Sequence, residues 1–138
     1  MKTLLLLTPQ LPYPPHQGTS LRNFHIIRGL ADRYALTLLT FLEEDQSADP
    51  QVNKPLFDLC VRIVTVPAPP RSKGTRLRQM LTTRLPDMAH RLFSPAFEEK
   101  LRVLLTENQF DLVQVEGIEL ARYMPIVRQT SPPKPAHF

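Results

Sequence analysis

The sequence has one cysteine, no tryptophan and only four glycines among its 138 residues. A single cysteine, Cys60, excludes an intramolecular disulfide and any zinc site built on cysteine ligands. Its surroundings, "FDLCVRIVTV", are apolar, so we expect a small core residue there. The four histidines, His16, His25, His90 and His137, do not have the spacing of metal ligands, and no metal site is predicted.

Long apolar runs are also missing. The run near the N-terminus covers only Leu4 to Leu7, which is shorter than the roughly 7–15 apolar residues of a signal peptide. No segment approaches the ~20 apolar residues that cross a bilayer. We therefore expect a cytoplasmic chain, either free or peripheral on the inner membrane face.

Three well-known motifs are absent as well. The sequence contains no G-x-G-x-x-G and no G-x-x-x-x-G-K-[ST], which argues against a dinucleotide-binding fold and excludes a P-loop ATPase. No acidic pair follows the first predicted strand, where a phospho-acceptor receiver domain needs one. The absence of tryptophan, and of aromatic platforms beside basic residues, argues against a nucleic-acid partner.

Proline, by contrast, is abundant, with 15 residues, of which ten are clustered at 9–15, 67–70 and 132–135. These clusters separate segments of regular apolar periodicity, which is typical of loops between helices and strands. The predicted strands are Lys2–Thr8, Ala35–Phe41, Val61–Val66, Asp111–Val115 and a short one in "KPAHF". The predicted helices cover Ser20 to about Asp32, 51–59, 74–83, a helix starting at Ser94 and Pro95, and a stretch after Gly117 that is kinked or ends near Pro125.

Strands that alternate with helices at this spacing predict right-handed crossovers and a parallel sheet. The fold class is therefore α/β, a Rossmann-like doubly wound sheet in three layers, α/β/α. We expect one domain over residues 1–138, incomplete at its C-terminus. In such folds ligands bind in the crevice at the carboxyl ends of the strands.

The connection "PQLPYPPHQGTS" follows the first strand and is therefore expected at this crevice. It is longer than the roughly 2–6 residues that usually join a strand to a helix. Gly18 is expected to adopt a backbone conformation, or allow a close approach, that other residues do not permit. Thr19 and Ser20 would place hydroxyls and free N–H groups at the positive end of a helix, which suits a phosphate or a sugar hydroxyl. The alternative is an ordinary capped turn.

Individual polar residues near the crevice carry two interpretations each. His16 either bonds a sugar hydroxyl or lies on the surface, and Arg22 either reaches an anionic ligand or is solvated. Glu116 either accepts a hydrogen bond from a ligand hydroxyl or acts as a base, or it has no ligand role. The other residues considered have structural interpretations: His25 in the helix, Tyr13 packing the loop, and Glu119 facing solvent or pairing with Arg122.

Two stretches carry a resemblance to a known family. The segment "LLLLTPQLPYPPHQGTSLRNFHIIRGLADRYALTLLTF", followed by "FDLVQVEGIELARYMP", resembles the amino-terminal domain of family 4 glycosyltransferases of the GT-B fold. The similarity is greatest to bacterial sugar transferases of polysaccharide biosynthesis. The resemblance implies an acceptor-binding domain that cooperates with a second domain, which holds a nucleotide-sugar and paired glutamates. It implies transfer with retention of configuration, without a metal or resident cofactor.

Carried over by position, Gly18 matches the first glycine of the family's Gly-Gly loop, while Thr19 replaces the second. Glu116 and Gly117 match acceptor-side crevice residues. The expected substrate-binding set is His16, Gly18, Thr19, Ser20, Arg22, Glu116 and Gly117, and no catalytic residue is assigned. We expect the acceptor to be a polysaccharide or lipid-linked sugar, with no transfer by this chain alone. The alternative function is a non-catalytic Rossmann-like binding or scaffold domain.

The net charge of +4 is unevenly distributed. Residues 71–102 hold eight basic residues against three acidic ones. This segment indicates contact with an anionic membrane surface, where lipid-linked acceptors are found, with a phosphorylated ligand, or with nucleic acid. The alternative is a solvated helical face above a packed core.

Overall fold

The computed structural model describes residues 1–15, 18–69, 93–130 and 136–137. Within these residues the strands are β1 (Lys2–Thr8), β2 (Tyr34–Leu42), β3 (Arg62–Pro67), β4 (Leu112–Val115) and β5 (Ala136–His137). The helices are α1 (Gly18–Leu30), α2 (Lys54–Leu59), α3 (Pro95–Glu107), a 3-10 helix (Ile118–Tyr123) and α4 (Met124–Thr130). The predicted helix over 74–83 lies outside the described residues.

The strands form one sheet in the order β3-β2-β1-β4-β5, and each neighbouring pair is parallel. The central strand β1 pairs Leu6 with Leu38 of β2 on one side and with Gln114 of β4 on the other. This central position explains why β1 is continuously apolar rather than alternating, because both of its faces are covered.

Successive side chains of a strand point to opposite faces, and here they supply two separate cores. Leu4 and Leu6 pack with Ile27 of α1 and Leu56 of α2. Leu5 and Leu7 pack with side chains of α3, the 3-10 helix and α4. Helices therefore cover both faces of the sheet, and the predicted three-layer α/β fold is confirmed.

A stack of aromatic rings packs α3 and the 3-10 helix against the sheet. The rings of Phe41 and Phe97 stack with centroids 4.3 Å apart, and Tyr123 packs on Phe97 at 4.6 Å. The Tyr123 hydroxyl accepts a hydrogen bond from the backbone N–H of Ser94 at 3.2 Å. Burial raises the pKa of Tyr123 to about 12. A neutral, hydrogen-bonded phenol therefore joins the 3-10 helix to the start of α3.

The start of α3 is confirmed as the sequence predicts it. Ser94 is the N-cap, its side-chain oxygen accepts from the N–H of Phe97 at 3.2 Å, and Pro95 is the first helical residue. Two other helix boundaries differ from expectation. The first helix begins at Gly18 rather than Ser20, so Thr19 and Ser20 lie within its first turn and do not precede it.

The second difference concerns Pro125, which lies in the first turn of α4, so that a helix begins near it and does not end there. Proline is favoured there because the first-turn N–H groups have no intrahelical acceptor. The segment before it, Ile118–Tyr123, is a 3-10 helix.

Candidate functional site

The order of the strands determines where a crevice can form. From β1 the chain moves to one side, to β2 and β3, and later crosses to the other side of β1, to β4 and β5. The direction of winding therefore changes between β1 and β4. In open α/β sheets the carboxyl ends of the strands at this switch point flank the ligand crevice.

A cleft of about 200 Å³ lies at this switch point. One wall is the first part of α1, which follows β1, and the other is the segment that follows β4. The lining residues are Thr19, Arg22, Asn23, Glu116, Gly117, Ile118 and Glu119. Four residues of the predicted set, Thr19, Arg22, Glu116 and Gly117, are thus brought together although they are far apart in sequence.

Glu116 is the most buried ionisable side chain of the cleft, with only 5% of its surface exposed. Its backbone N–H donates to the carbonyl of Leu7 at 2.9 Å, which fixes its position beside β1. Its oxygen Oε2 accepts from Arg22 Nη2 at 2.5 Å, and its oxygen Oε1 accepts from Gln114 Nε2 at 2.6 Å. Each carboxylate oxygen therefore already has a donor from the protein.

Arg22 is exposed to solvent, but its guanidinium already has a protein partner. Its side chain is 68% exposed, yet its guanidinium forms an ion pair with the buried carboxylate of Glu116. Removing one partner of such a pair leaves the other charge buried without compensation, which costs several kcal/mol. Arg22 is therefore the counter-ion of Glu116 inside the cleft.

Gly117 is the residue whose backbone requires glycine. Its φ is +103°, and a Cβ atom built there would lie 2.5 Å from Glu119 Oε2 and 3.5 Å from Pro9 Cγ. The expectation of a special backbone at Gly18 is wrong, since Gly117 alone has a positive φ among the described residues. A Cβ at Gly18 would meet no atom within 4 Å, because the residue begins α1 in open space.

Asn23 is a cleft residue that the sequence analysis does not identify. It is 2% exposed, and its Nδ2 group is buried without a hydrogen-bond partner. Such a donor costs about 1–3 kcal/mol when left unsatisfied. The signal available in the sequence is a polar residue on the apolar side of a helix, between Ser20 and Ile27, which are also buried.

A second cavity, of about 350 Å³, lies across the first turn of α1 from this cleft. Its lining residues are Gln10, Tyr13, Pro14, Ser20, Asp45, Gln46, Ser47, Val52 and Asn53. Ser20 of the predicted set faces this cavity and not the cleft. The amide of Gln46 bonds the Leu11 carbonyl at 2.8 Å and accepts from the Glu43 N–H, while Asn53 Nδ2 bonds the Ser47 carbonyl at 2.6 Å. These side chains hold the neighbouring loops together.

The remaining sequence interpretations have mixed outcomes. His16 and His90 lie outside the described residues. Tyr13 packs its ring on Phe24 at 5.9 Å, as predicted, while His25 is exposed on α1 and its ring meets Phe24 at 6.3 Å.

Glu119, predicted to face solvent or to pair with Arg122, is half-buried. It lines the cleft, and the guanidinium of Arg122 lies over the ring of Phe93 at 4.2 Å. Among the described residues no three His, Cys, Asp or Glu side chains are grouped as metal ligands.

The basic segment divides into two parts. In its last part, residues 95–102, the charges cancel, with Lys100 and Arg102 against Glu98 and Glu99, and Arg102 pairs with Glu98 at 3.3 Å. The positive surplus belongs to residues 71–92, with six basic residues against one acidic residue. All of these residues lie outside the described part of the chain, so the membrane interpretation stays a prediction. In the described ranges no helix has the length and apolar character needed to cross a bilayer.

Comparison with known proteins supports the fold. No protein family model and no curated protein matches the sequence. Two crystal structures of the C-terminal domain of a hydrogenase from Pyrococcus furiosus are similar in structure, each with a TM-score of 0.61 and 18% sequence identity. One match covers 99% and the other 100% of this chain, with 94% of the hydrogenase domain covered in each. At this level of identity the likeness concerns the Rossmann-like α/β fold alone.

Proposed function

We propose that this chain is the acceptor-binding half of a retaining glycosyltransferase, which moves a sugar from a nucleotide-sugar to a polysaccharide or lipid-linked acceptor. One observation supports this most: the cleft at the switch point is walled by α1 and by the Glu116–Glu119 segment. These are the two stretches in which the sequence resembles family 4 glycosyltransferases. The nucleotide-sugar would be held mainly by a second domain.

The chemistry of the cleft suits a sugar. The carboxylate of Glu119 accepts hydrogen bonds, while the Thr19 hydroxyl and the Asn23 amide can donate them. Sugar hydroxyls both donate and accept, so they match a wall that mixes the two kinds of group. Ile118 is 66% exposed at the same cleft and offers an apolar surface to the C–H face of a sugar ring or to a lipid chain.

The cleft has a direct binding test by NMR. The ¹⁵N-labelled chain is titrated with a panel of short-chain alkyl glycosides while the backbone amide signals are followed. We expect concentration-dependent shifts at Thr19, Gly117 and Ile118, which line the cleft, and none in α2 on the far side of the second cavity. Shifts confined to α2 would place the ligand elsewhere and contradict the proposal.

A pair of variants on one helix makes the test specific. Thr19→Tyr places a large side chain at an exposed position of the cleft wall and should abolish the response to glycosides. Arg28→Tyr makes the same kind of change at an exposed position in the last turn of α1 and should preserve it. An intact fold with no response to any glycoside would favour the alternative, a non-catalytic scaffold domain.

A separate experiment tests whether sugar transfer needs the second domain. The purified chain is incubated with nucleotide-sugars and alkyl glycosides, and products are followed by mass spectrometry. We expect no transfer. Sugar transfer by the chain alone would contradict the assignment to an acceptor-binding half.

A further inference from the structure

We infer that the cleft receives an uncharged, hydroxyl-bearing part of the acceptor, and that Asn23 is the residue that selects it by donating a hydrogen bond to a ligand oxygen. The inference rests on the proposed function and narrows it in two ways. It assigns the charge class of the bound group, and it excludes Arg22 as a ligand for phosphate or carboxylate.

The first step concerns the ion pair. Arg22 Nη2 and Glu116 Oε2 are 2.5 Å apart, and the Glu116 side chain is only 6% exposed. An anionic ligand that drew the guanidinium away would leave a buried carboxylate without its counter-ion. Because that loss opposes the gain from the new contact, Arg22 is retained by Glu116.

The second step is the charge that remains. Because the charges of Arg22 and Glu116 cancel, Glu119 gives the described lining of the cleft a net charge of one negative unit. The N-terminus of α1 opposes it with the equivalent of about half a positive charge. An anion would therefore enter a cleft with no uncommitted cation among these residues, whereas a neutral hydroxyl group meets no such repulsion.

The third step is the donor. Gln114 and Arg22 already donate hydrogen bonds to the two oxygens of Glu116, while Asn23 Nδ2 has no partner although it is buried. A ligand oxygen that accepts from Asn23 would satisfy this group, and the same hydroxyl or its neighbour could donate to Glu119. A site with a buried unpaired donor rejects analogues that lack the matching oxygen.

Matched neutral and charged probes test the charge class. Methyl glucoside, methyl glucuronide, glucose 6-phosphate and inorganic phosphate are titrated separately while the side-chain NH₂ signals of Asn23 are followed by NMR. Methyl glucoside should shift these signals, and the charged probes should bind at least about tenfold more weakly, a ratio that corresponds to ~1.4 kcal/mol. Equal or tighter binding of the charged probes would overturn the inference.

Substitutions separate the donor from the surrounding charge. Asn23→Asp keeps the size of the side chain but replaces the donor with a carboxylate, and should weaken methyl glucoside binding by at least about tenfold. Glu119→Gln should strengthen binding of the charged probes relative to the neutral one. Unchanged neutral binding in Asn23→Asp, with its thermal unfolding like that of the wild type, would remove Asn23 from the site.

The ion pair is tested by replacing it as a unit. The double variant Arg22→Met, Glu116→Gln removes both charges and leaves no buried carboxylate unpaired. Neutral binding should stay within about threefold of the wild type, whereas a loss of more than tenfold would place Arg22 or Glu116 on the ligand. Failure of this inference leaves glycoside shifts at Gly117 and Ile118 intact; failure of the proposed function removes them.

Discussion

Gly117 joins β4 to the 3-10 helix in a conformation that L side chains rarely adopt. Gly117→Ala should therefore destabilise the protein by about 1–3 kcal/mol, because it combines a positive φ with a contact of 2.5 Å to Glu119 Oε2. The free energy of unfolding from urea titration measures this change. The substitution should also reduce glycoside binding, since Glu119 must move.

Gly18 supplies the matched control for this prediction. It lies in the first turn of α1, and a Cβ atom there has open space. Gly18→Ala should be neutral or stabilise the protein by up to about 1 kcal/mol, because alanine restricts the unfolded chain. A large loss of stability in Gly18→Ala, or none in Gly117→Ala, would reverse the assignment of the two glycines.

Cys60 is a half-buried thiol at the end of α2. Burial raises its pKa to about 12, so almost none of it is thiolate at pH 8. Since the thiolate is the nucleophile, alkylation by iodoacetamide should be roughly 30- to 100-fold slower in the folded protein than in urea, allowing for the greater nucleophilicity of a high-pKa thiolate. Mass spectrometry of timed samples measures the two rates.

An exposed cysteine provides the comparison. In a Cys60→Ala background, Ala48→Cys places a thiol at an exposed loop position. This thiol should react at similar rates with and without urea. Equal rates for Cys60 in the folded and unfolded chain would show that its surroundings do not protect it.

For single residues, the sequence indicates which side chains lie near the cleft but not which contacts they make with each other. Glu116 follows from the resemblance and from the rule that ligands bind at the carboxyl ends of strands, and Arg22 follows from its place in the first turn of the helix after β1. Their mutual ion pair does not, because it depends on the register of β4 against β1 and on an arginine rotamer. The role of Asn23 could not be predicted from the sequence, because an unsatisfied donor is a property of the three-dimensional surroundings. Nothing in "LRNFH" shows which polar groups reach this side chain.

Among the elements, α3 has the best-defined start. Ser94→Ala removes the acceptor for the Phe97 N–H and should cost about 1 kcal/mol, within the ~0.5–2 kcal/mol typical of N-caps. The midpoint of urea unfolding measures this loss. The effect should appear as a lower midpoint with an unchanged slope, since the compactness of the unfolded chain is not altered.

Ser94→Asp is the conservative partner of this variant. It restores a side-chain acceptor and adds a negative charge near the positive end of the helix, so its stability should be close to that of the wild type. If Ser94→Asp lost as much stability as Ser94→Ala, the hydrogen bond to Phe97 would not be the cause.

The elements themselves are largely predictable because their signals are local. The buried run Lys2–Thr8 and the Ser94–Pro95 start of α3 match the structure closely. The segment after Gly117 does not, since Pro125 fits both the end of one helix and the first turn of another. Packing of Leu120 and Tyr123 into the core decides between them, and that packing is not visible in the local sequence.

For the molecule as a whole, the parallel sheet follows from alternating strands and helices, and the strand order then locates the cleft.

The basic surplus of residues 71–92 adds a prediction at this scale. The chain should float with vesicles that contain anionic lipid and not with neutral ones, since each basic residue near such a surface contributes about 1 kcal/mol. Charge reversal by Arg76→Glu, Arg78→Glu and Arg84→Glu should abolish flotation.

A second triple variant separates a local effect from net charge. Arg28→Glu, Arg62→Glu and Arg128→Glu change the total charge by the same amount at exposed positions of α1, β3 and α4. This control should still float. If both triple variants lost flotation equally, the net charge of the chain, and not the basic residues of 71–92, would explain the binding to vesicles.

The chain enters the sheet through its central strand. Met1 is 83% exposed at the amino end of β1, whereas the cleft lies beyond the carboxyl end. A seven-residue strand at about 3.3 Å per residue separates the two rims by roughly 20 Å. A fluorophore, an affinity tag or a sensor-chip linkage attached at Met1 therefore points away from the ligand entrance and leaves it unobstructed.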